Sequence, residues 1–299
     1  MDSFVVIALS SIKGIGAKTL VKCRESLKQW VLNEPQDILE ILRQLVSEGK
    51  IPTKFTDVSS KEAEEAFQKT AGIFADMEEK GIKVVTLLES TYPDGFHELN
   101  RPPVAIYFRG STDLLTRKGI AIVGTRKASG AGISWAEENA KRAAEKGFVV
   151  VSGLALGIDS AAHNGVINSV NPSNTIAILP CGVDKAYPAR HKELAERIVG
   201  RGGLLISEYI PGVGAEKHNF VERDRLIAAL SKAIVAVECS SKSGTMITMS
   251  YGYKLKRKLF VVKHSNEDAK ELSIEGLEKA VFDYRAIWID QIDKALISI

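Results

Sequence analysis

The run VVSGLALGIDSAAHNGVI, Val150 to Ile167, places Ser152, Gly153, Gly157, Asp159 and His163 directly behind an apolar stretch. Glycines at a strand-to-helix turn let a backbone approach a phosphate, and they equally serve close packing of helix on sheet. Asp159 and His163, four residues apart, share one helical face and could exchange a proton. No nucleophile or paired carboxylate stands at a matching spacing, so the pair reads as structural, a hydrogen bond or a helix start, and no catalytic residue is assigned. Three further turns have the same texture. AIVGTRKASGAGIS carries Gly124, Arg126, Lys127, Ser129 and Gly130; LPCGVDKAYPARH carries Asp184; ECSSKSGTMIT carries Lys242, Ser243, Gly244 and Thr245. A dinucleotide fingerprint needs glycine two residues after Gly124, where this chain has Arg126, and no acid closes the next strand to hold a ribose. A nicotinamide dehydrogenase is not expected. A row of anion-friendly turns, with Arg126, Lys127, Arg223 and Arg225, suits successive phosphates better than one nucleotide.

The elements that must present these turns follow from periodicity. Residues 1–80 have the three- and four-residue apolar spacing of helices, as in DILEILRQLVSEG, and predict a small all-helical domain. Its SIKGIGAKTLVKC segment reads either as a helix-hairpin-helix turn or as a plain helix-helix turn. From about Gly81 β-branched runs alternate with helices predicted to start near Gly130, Gly157, Arg190, Phe220 and Gly244. The predicted fold class is α/β: an extended Rossmann-like, doubly wound, mostly parallel sheet over 81–265. Residues 266–299 predict one short strand and a terminal helix. The 299 residues are 45% hydrophobic and carry a formal net charge of +3, too little to prove a polyanion partner. Cys23, Cys181 and Cys239 have no CxxC spacing, so neither a disulfide framework nor a metal site is expected. No secretory leader and no membrane-spanning run is read, and a cytoplasmic location is expected.

The segments TYPDGFHELNRPPVAIYFRGS, IAIVGTRKASGAG, VVSGLALGIDSAAHNGVI, TIAILPCGVDKAYPARHKEL, LLISEYIPG, NFVERDRLIAALS and SGTMIT resemble, in unbroken order, the motifs of the DprA/Smf family, DNA processing protein A. The resemblance runs from about Thr91 to Val262, and IKGIGAKTL fits that family's helical leader. It implies a homodimer that binds single-stranded DNA by its phosphate backbone, in a basic groove at the strand carboxyl ends. It also implies recombination mediation in DNA uptake, natural transformation and competence, and loading of a RecA-type recombinase. No cofactor and no catalytic step is implied. Arg126 and Ser129 match a GxRxxS element. Arg223 and Arg225 match an RNR-like element, on the first turn of a helix beginning near Val221. Phe220 offers a base a stacking face, or belongs to the core.

Departures accompany the match. FVERDR stands where the family has an FPxRNR-like segment, so Glu222 and Asp224 flank the arginines. The helix SYGYKLKRK and the exit VVKHSN replace an alanine-rich helix and a Pro-Gly exit, and a winged helix is not expected. One alternative is a DprA-like protein that senses a nucleotide or binds a partner, in phage defence or as the antitoxin of a toxin. Another is a nucleotide or phosphoribosyl hydrolase of the PGGxGTxxE type. There Thr248 replaces the catalytic glutamate, leaving Glu208 and Glu238, at strand ends, as substitutes.

Overall fold

The computed structural model describes residues 2–169, 174–264 and 271–299. The chain forms two compact units, Met1–Tyr107 and Phe108–Ile299. In the first, α1 (Ser3–Ser10), α2 (Ala17–Lys22), α3 (Arg24–Leu27), α4 (Pro35–Ser47) and α5 (Ser60–Glu79) precede β1 (Lys83–Thr86), α6 (Asp94–His97) and the start of β2 (Ala105–Gly110). Capping boxes begin its two long helices, Glu34 with Asp37 for α4 and Ser59 with Glu62 for α5. Phe4 of α1 packs against Phe67 and Phe74 of α5, with ring centroids 5.3 and 5.2 Å apart. Helix gives way to strand between α5 and β1, and the compact unit extends on to Tyr107.

The second unit alternates strand and helix: β3 (Gly119–Val123), α7 (Gly130–Glu145), β4 (Val149–Ser152), α8 (Ile158–Ile167), β5 (Thr175–Ile178), α9 (Lys192–Gly200), β6 (Leu204–Ser207), α10 (Lys217–Leu230), β7 (Ala233–Ala236), α11 (Gly244–Lys254), β8 (Lys258–Val262), α12 (Glu271–Tyr284), β9 (Ile287–Ile289) and α13 (Asp293–Ile297). Its strands run in the order β6-β5-β4-β3-β7-β8-β9, every neighbouring pair parallel. β3 to β6 wind one way and β7 to β9 the other, which puts the reversal of strand order between β3 and β7. Because both faces are covered, the strands are apolar runs rather than alternating ones, and all residues of β3, β4, β5, β6 and β7 are buried. The mostly parallel α/β architecture read from the sequence is borne out.

Small residues set the spacing of the layers. Ala136, Ala140, Ala143 and Ala144 of α7 share one buried cluster with Ala161 and Ala162 of α8 and with Ile120, Ile122 and Val150 beneath. A Cβ on Gly165 would overlap the backbone of Glu137, so α7 and α8 meet at backbone distance. On the opposite face Gly252 of α11 packs onto the sheet's side chains, where a Cβ would overlap Ile234 Cδ1 and lie 2.8 Å from Leu259 Cδ2.

Two expectations need correction. α10 begins at Lys217, before Phe220, because Glu216 in extended backbone starts it and accepts from the Asn219 N–H at 3.0 Å. Arg223 and Arg225 therefore lie beyond the first turn. Near the end of the chain a further helix, α12, precedes the short strand, and residues 266–270 of the predicted tail lie outside the described residues.

Candidate functional site

A groove of about 700 Å³ opens where β3 and β7 diverge, at their carboxyl ends. One wall is the turn after β3. Thr125 N–H donates to Glu238 O at 2.7 Å, and Thr125 O accepts from Ile158 N–H at 3.3 Å, which ties this turn to the ends of β7 and α8. Ser129 is the N-cap of α7, its Oγ accepting from Gly132 N–H at 3.0 Å while also donating to Glu238 Oε1. Ser129 N–H reaches Glu238 Oε2 at 3.1 Å, so a buried carboxylate is spent on holding the turn. Gly124 is small for packing, since a Cβ there would lie 2.8 Å from Ile158 Cβ and 3.0 Å from Glu238 O.

At the rim Arg126 is exposed and has no hydrogen bond or ion pair among the described residues. Its guanidinium lies over the Phe220 ring, 5.2 Å from the centroid, and Tyr187 meets the same ring edge-on at 4.9 Å. Lys217, exposed at the head of α10, lines the groove beside them. Across from α10 is the Ser243–Gly244–Thr245 turn that opens α11.

The floor is built from buried charges. Arg223, 4% exposed, donates through Nη1 to Gly153 O at 2.5 Å and Ile178 O at 2.8 Å, and through Nε to Asp224 Oδ1 at 3.0 Å. A side chain on Gly153 would overlap that guanidinium. Asp159 Oδ2 accepts from Gly153 N–H at 3.1 Å and from Ala155 N–H at 3.4 Å, bracing the turn into α8. Burial pushes the Asp159 carboxyl up from its ordinary range, with Arg223 pulling it back. Burial likewise pushes Asp224 up to about 6, against the pull of Arg223. Behind the floor, the Thr175 hydroxyl donates to Val150 O at 3.0 Å, which leaves His163 Nδ1, 2.8 Å away, as the donor to Thr175 Oγ1. His163 Nε2 is then a buried acceptor with no partner among the described residues, and burial holds the imidazole pKa down to about 3.

Of the residues named from the sequence, Gly124, Arg126, Phe220, Arg223, Ser243, Gly244 and Thr245 line the groove, with Asp159 among them. Lys127 and Lys242 are exposed on the adjoining turns but do not line it, and Gly130 is the first residue of α7. Ser152 is buried, its hydroxyl donating to Ile122 O at 2.7 Å. Gly157 has φ +73° and would carry a Cβ into Thr125 O, so it serves the joint between the two turns. Arg225 does not line the groove: it pairs with Glu208 at 2.5 Å and Glu222 at 2.9 Å, and is 6% exposed. Asp184 accepts from Gly212 N–H and lines a separate cavity of about 300 Å³. Neither Glu208 nor Glu238 lines the groove.

Lys217, Tyr187 and Asp224 are lining residues that sequence reasoning did not assign to the site. For Lys217 a signal existed, its three-residue spacing from Phe220 on one helix face. Among the described residues no group of three His, Cys, Asp or Glu could hold a metal, and no helix is long and apolar enough to cross a membrane.

The fold is a doubly wound, Rossmann-like α/β domain that places Arg126, Lys217 and the Phe220 ring at its strand-order reversal. The chain belongs to the family described as DNA recombination-mediator protein A, whose pattern it matches over residues 83–299. It is 35% identical over 180 residues to DNA processing protein DprA of Streptococcus pneumoniae, covering 60% of this chain and 62% of that one. To the DprA of Bacillus subtilis it is 29% identical over 240 residues, 80% of this chain and 79% of the relative. Protein Smf of Synechocystis is 36% identical over 192 residues, 63% of this chain, and the chain spans 48% of that relative's length. The X-ray structure of DprA from S. pneumoniae superposes with a TM-score of 0.78 at 25% identity, covering 100% of this chain and 98% of that one. A Helicobacter pylori DNA processing protein A, from work on its single-stranded DNA binding mode, gives 0.63 at 29% identity over 73% of this chain and 94% of its own.

Proposed function

We propose that this chain binds single-stranded DNA in the β3/β7 groove and acts as a recombination mediator in DNA uptake and processing, without a catalytic step of its own. The observation that carries the reading is Arg126: an exposed guanidinium, unpaired among the described residues, laid over Phe220 at the mouth of a groove at the strand-order reversal. Arginine over an aromatic face suits a strand that presents a phosphate and a base together. The H. pylori relative, described by its single-stranded DNA binding mode, supports the same ligand. A second copy of the chain and a RecA-type recombinase are the partners that go with this reading.

The test is a titration of fluorescent oligodeoxynucleotide against salt. Binding should weaken with a slope of about 0.7 in log K per log salt for each phosphate contact. Arg126→Ala should lose roughly tenfold in affinity and lower that slope by about one contact. Absence of binding at low salt, with Arg126→Ala indistinguishable from the parent, would refute the reading.

A further inference from the structure

The groove face of α10 changes character along its length. Lys217 lies at the outer end, Phe220 in the middle and Asp224 at the inner end, three and four residues apart, and all three line the groove. Asp224 is 7% exposed. Its Oδ1 accepts from Arg223 Nε, while no hydrogen bond reaches Oδ2 among the described residues. Oδ2 is directed at the opposite wall, where a Cβ on Gly244 would lie 3.2 Å from it. The charged groups that face this carboxylate are Arg223 on its own helix, Asp159 at the head of α8 and Arg126 from the turn after β3; the Ser243–Thr245 turn contributes no charge. Arg223 is consumed by Gly153 O, Ile178 O and Asp224 itself.

A phosphate drawn to this floor would meet two carboxylates and no unspent cation, which is unfavourable in a poorly solvated site. A nucleobase edge would meet an acceptor instead, because thymine, guanine, cytosine and adenine all carry N–H donors. We propose that Asp224 keeps the sugar-phosphate backbone off the floor and admits a base there, accepting an N–H from its edge, while the phosphates stay at the rim on Arg126 and Lys217. The inference rests on the groove being the single-strand site. Phe220, one turn from Asp224, supplies the face on which that base stacks.

The sign of the pH dependence follows. With a carboxyl pushed up to about 6, Asp224 is charged above that pH and neutral below it, so acid removes the barrier to backbone. Parent and variant are therefore compared at each pH, so that any other acid-dependent change cancels. The experiment measures affinity for an oligothymidylate and for an abasic deoxyribose-phosphate oligomer of equal length, using the parent and Asp224→Asn, which keeps an acceptor for Arg223. At about pH 7.5 the parent should prefer the base-bearing oligomer by at least roughly tenfold. Asp224→Asn should raise affinity for the abasic oligomer by roughly tenfold, and the parent should show the same rise at about pH 5 while the variant does not. Abasic affinities that agree within about twofold between folded parent and folded variant at both pH values would overturn the role of Asp224 and leave the groove reading standing. Failure of the parent to bind either oligomer would refute the groove reading itself, and the inference with it.

Discussion

Arg126 and Arg223 are both arginines of matched motifs beside glycine turns, and they meet the groove from different depths. Arg126 is exposed at the rim, laid over an aromatic face, whereas Arg223 is buried at the floor and divided among two carbonyls and a carboxylate. The difference teaches that an arginine's availability is set by what the surrounding backbone asks of it. Gly153 O follows the end of β4 and Ile178 O ends β5, and Arg223 donates to both.

Substitution at each site is the strongest way to break that contrast. Arg223→Ala should cost about 3–5 kcal/mol in denaturant unfolding, because it leaves Asp224 and two carbonyls buried without a partner. Arg126→Ala, the binding variant, should shift unfolding by less than about 0.5 kcal/mol. Equal losses of stability would erase the distinction between rim and floor.

His163 sharpens the comparison from behind the floor. Its folded pKa is held down to about 3, below that of a free imidazole, so the stability it supports is present at neutral pH and is lost as pH falls from about 6.5 toward 3. The loss should reach on the order of 4 kcal/mol. Asp224, pushed up to about 6, works in the opposite direction between about pH 6 and 4, so the signal is the difference between parent and His163→Gln in urea midpoint against pH. A pH profile unchanged in the variant would show that His163 takes no part in acid sensitivity. The smallest effect belongs to Lys127, exposed on the rim turn but outside the groove: Lys127→Ala should weaken single-strand binding by less than about twofold at moderate salt. A loss as large as that of Arg126→Ala would extend the binding surface beyond the groove.

Much of the fold was legible because its signals are local. Runs such as GIAIV, VVVS and AIVA are strands buried on both faces, and each glycine turn marks where a strand hands over to a helix. The site was legible to the level of turns and stopped there. In FVERDR, nothing in the sequence says which arginine faces the groove, since that depends on α10 starting at Lys217 and on carbonyls at Gly153 and Ile178, far away in the chain. The role of Glu238 was hidden for the same reason, its partner Ser129 standing 109 residues earlier. α12 was missed because ELSIEGLEKAVFDY follows a polar stretch that reads as a tail.

The alanine seam between α7 and α8 has a mechanical consequence. Two helices that touch backbone to backbone at Gly165 and Glu137 have no compliant side chains between them to absorb a displacement. α7 starts at the end of the Arg126 turn and α8 at the end of the Gly153 turn, and Thr125 O is bonded directly to Ile158 N–H. A pull on Arg126 should therefore reach the Gly153 turn with little slack, so that this wall and the floor of the groove move together.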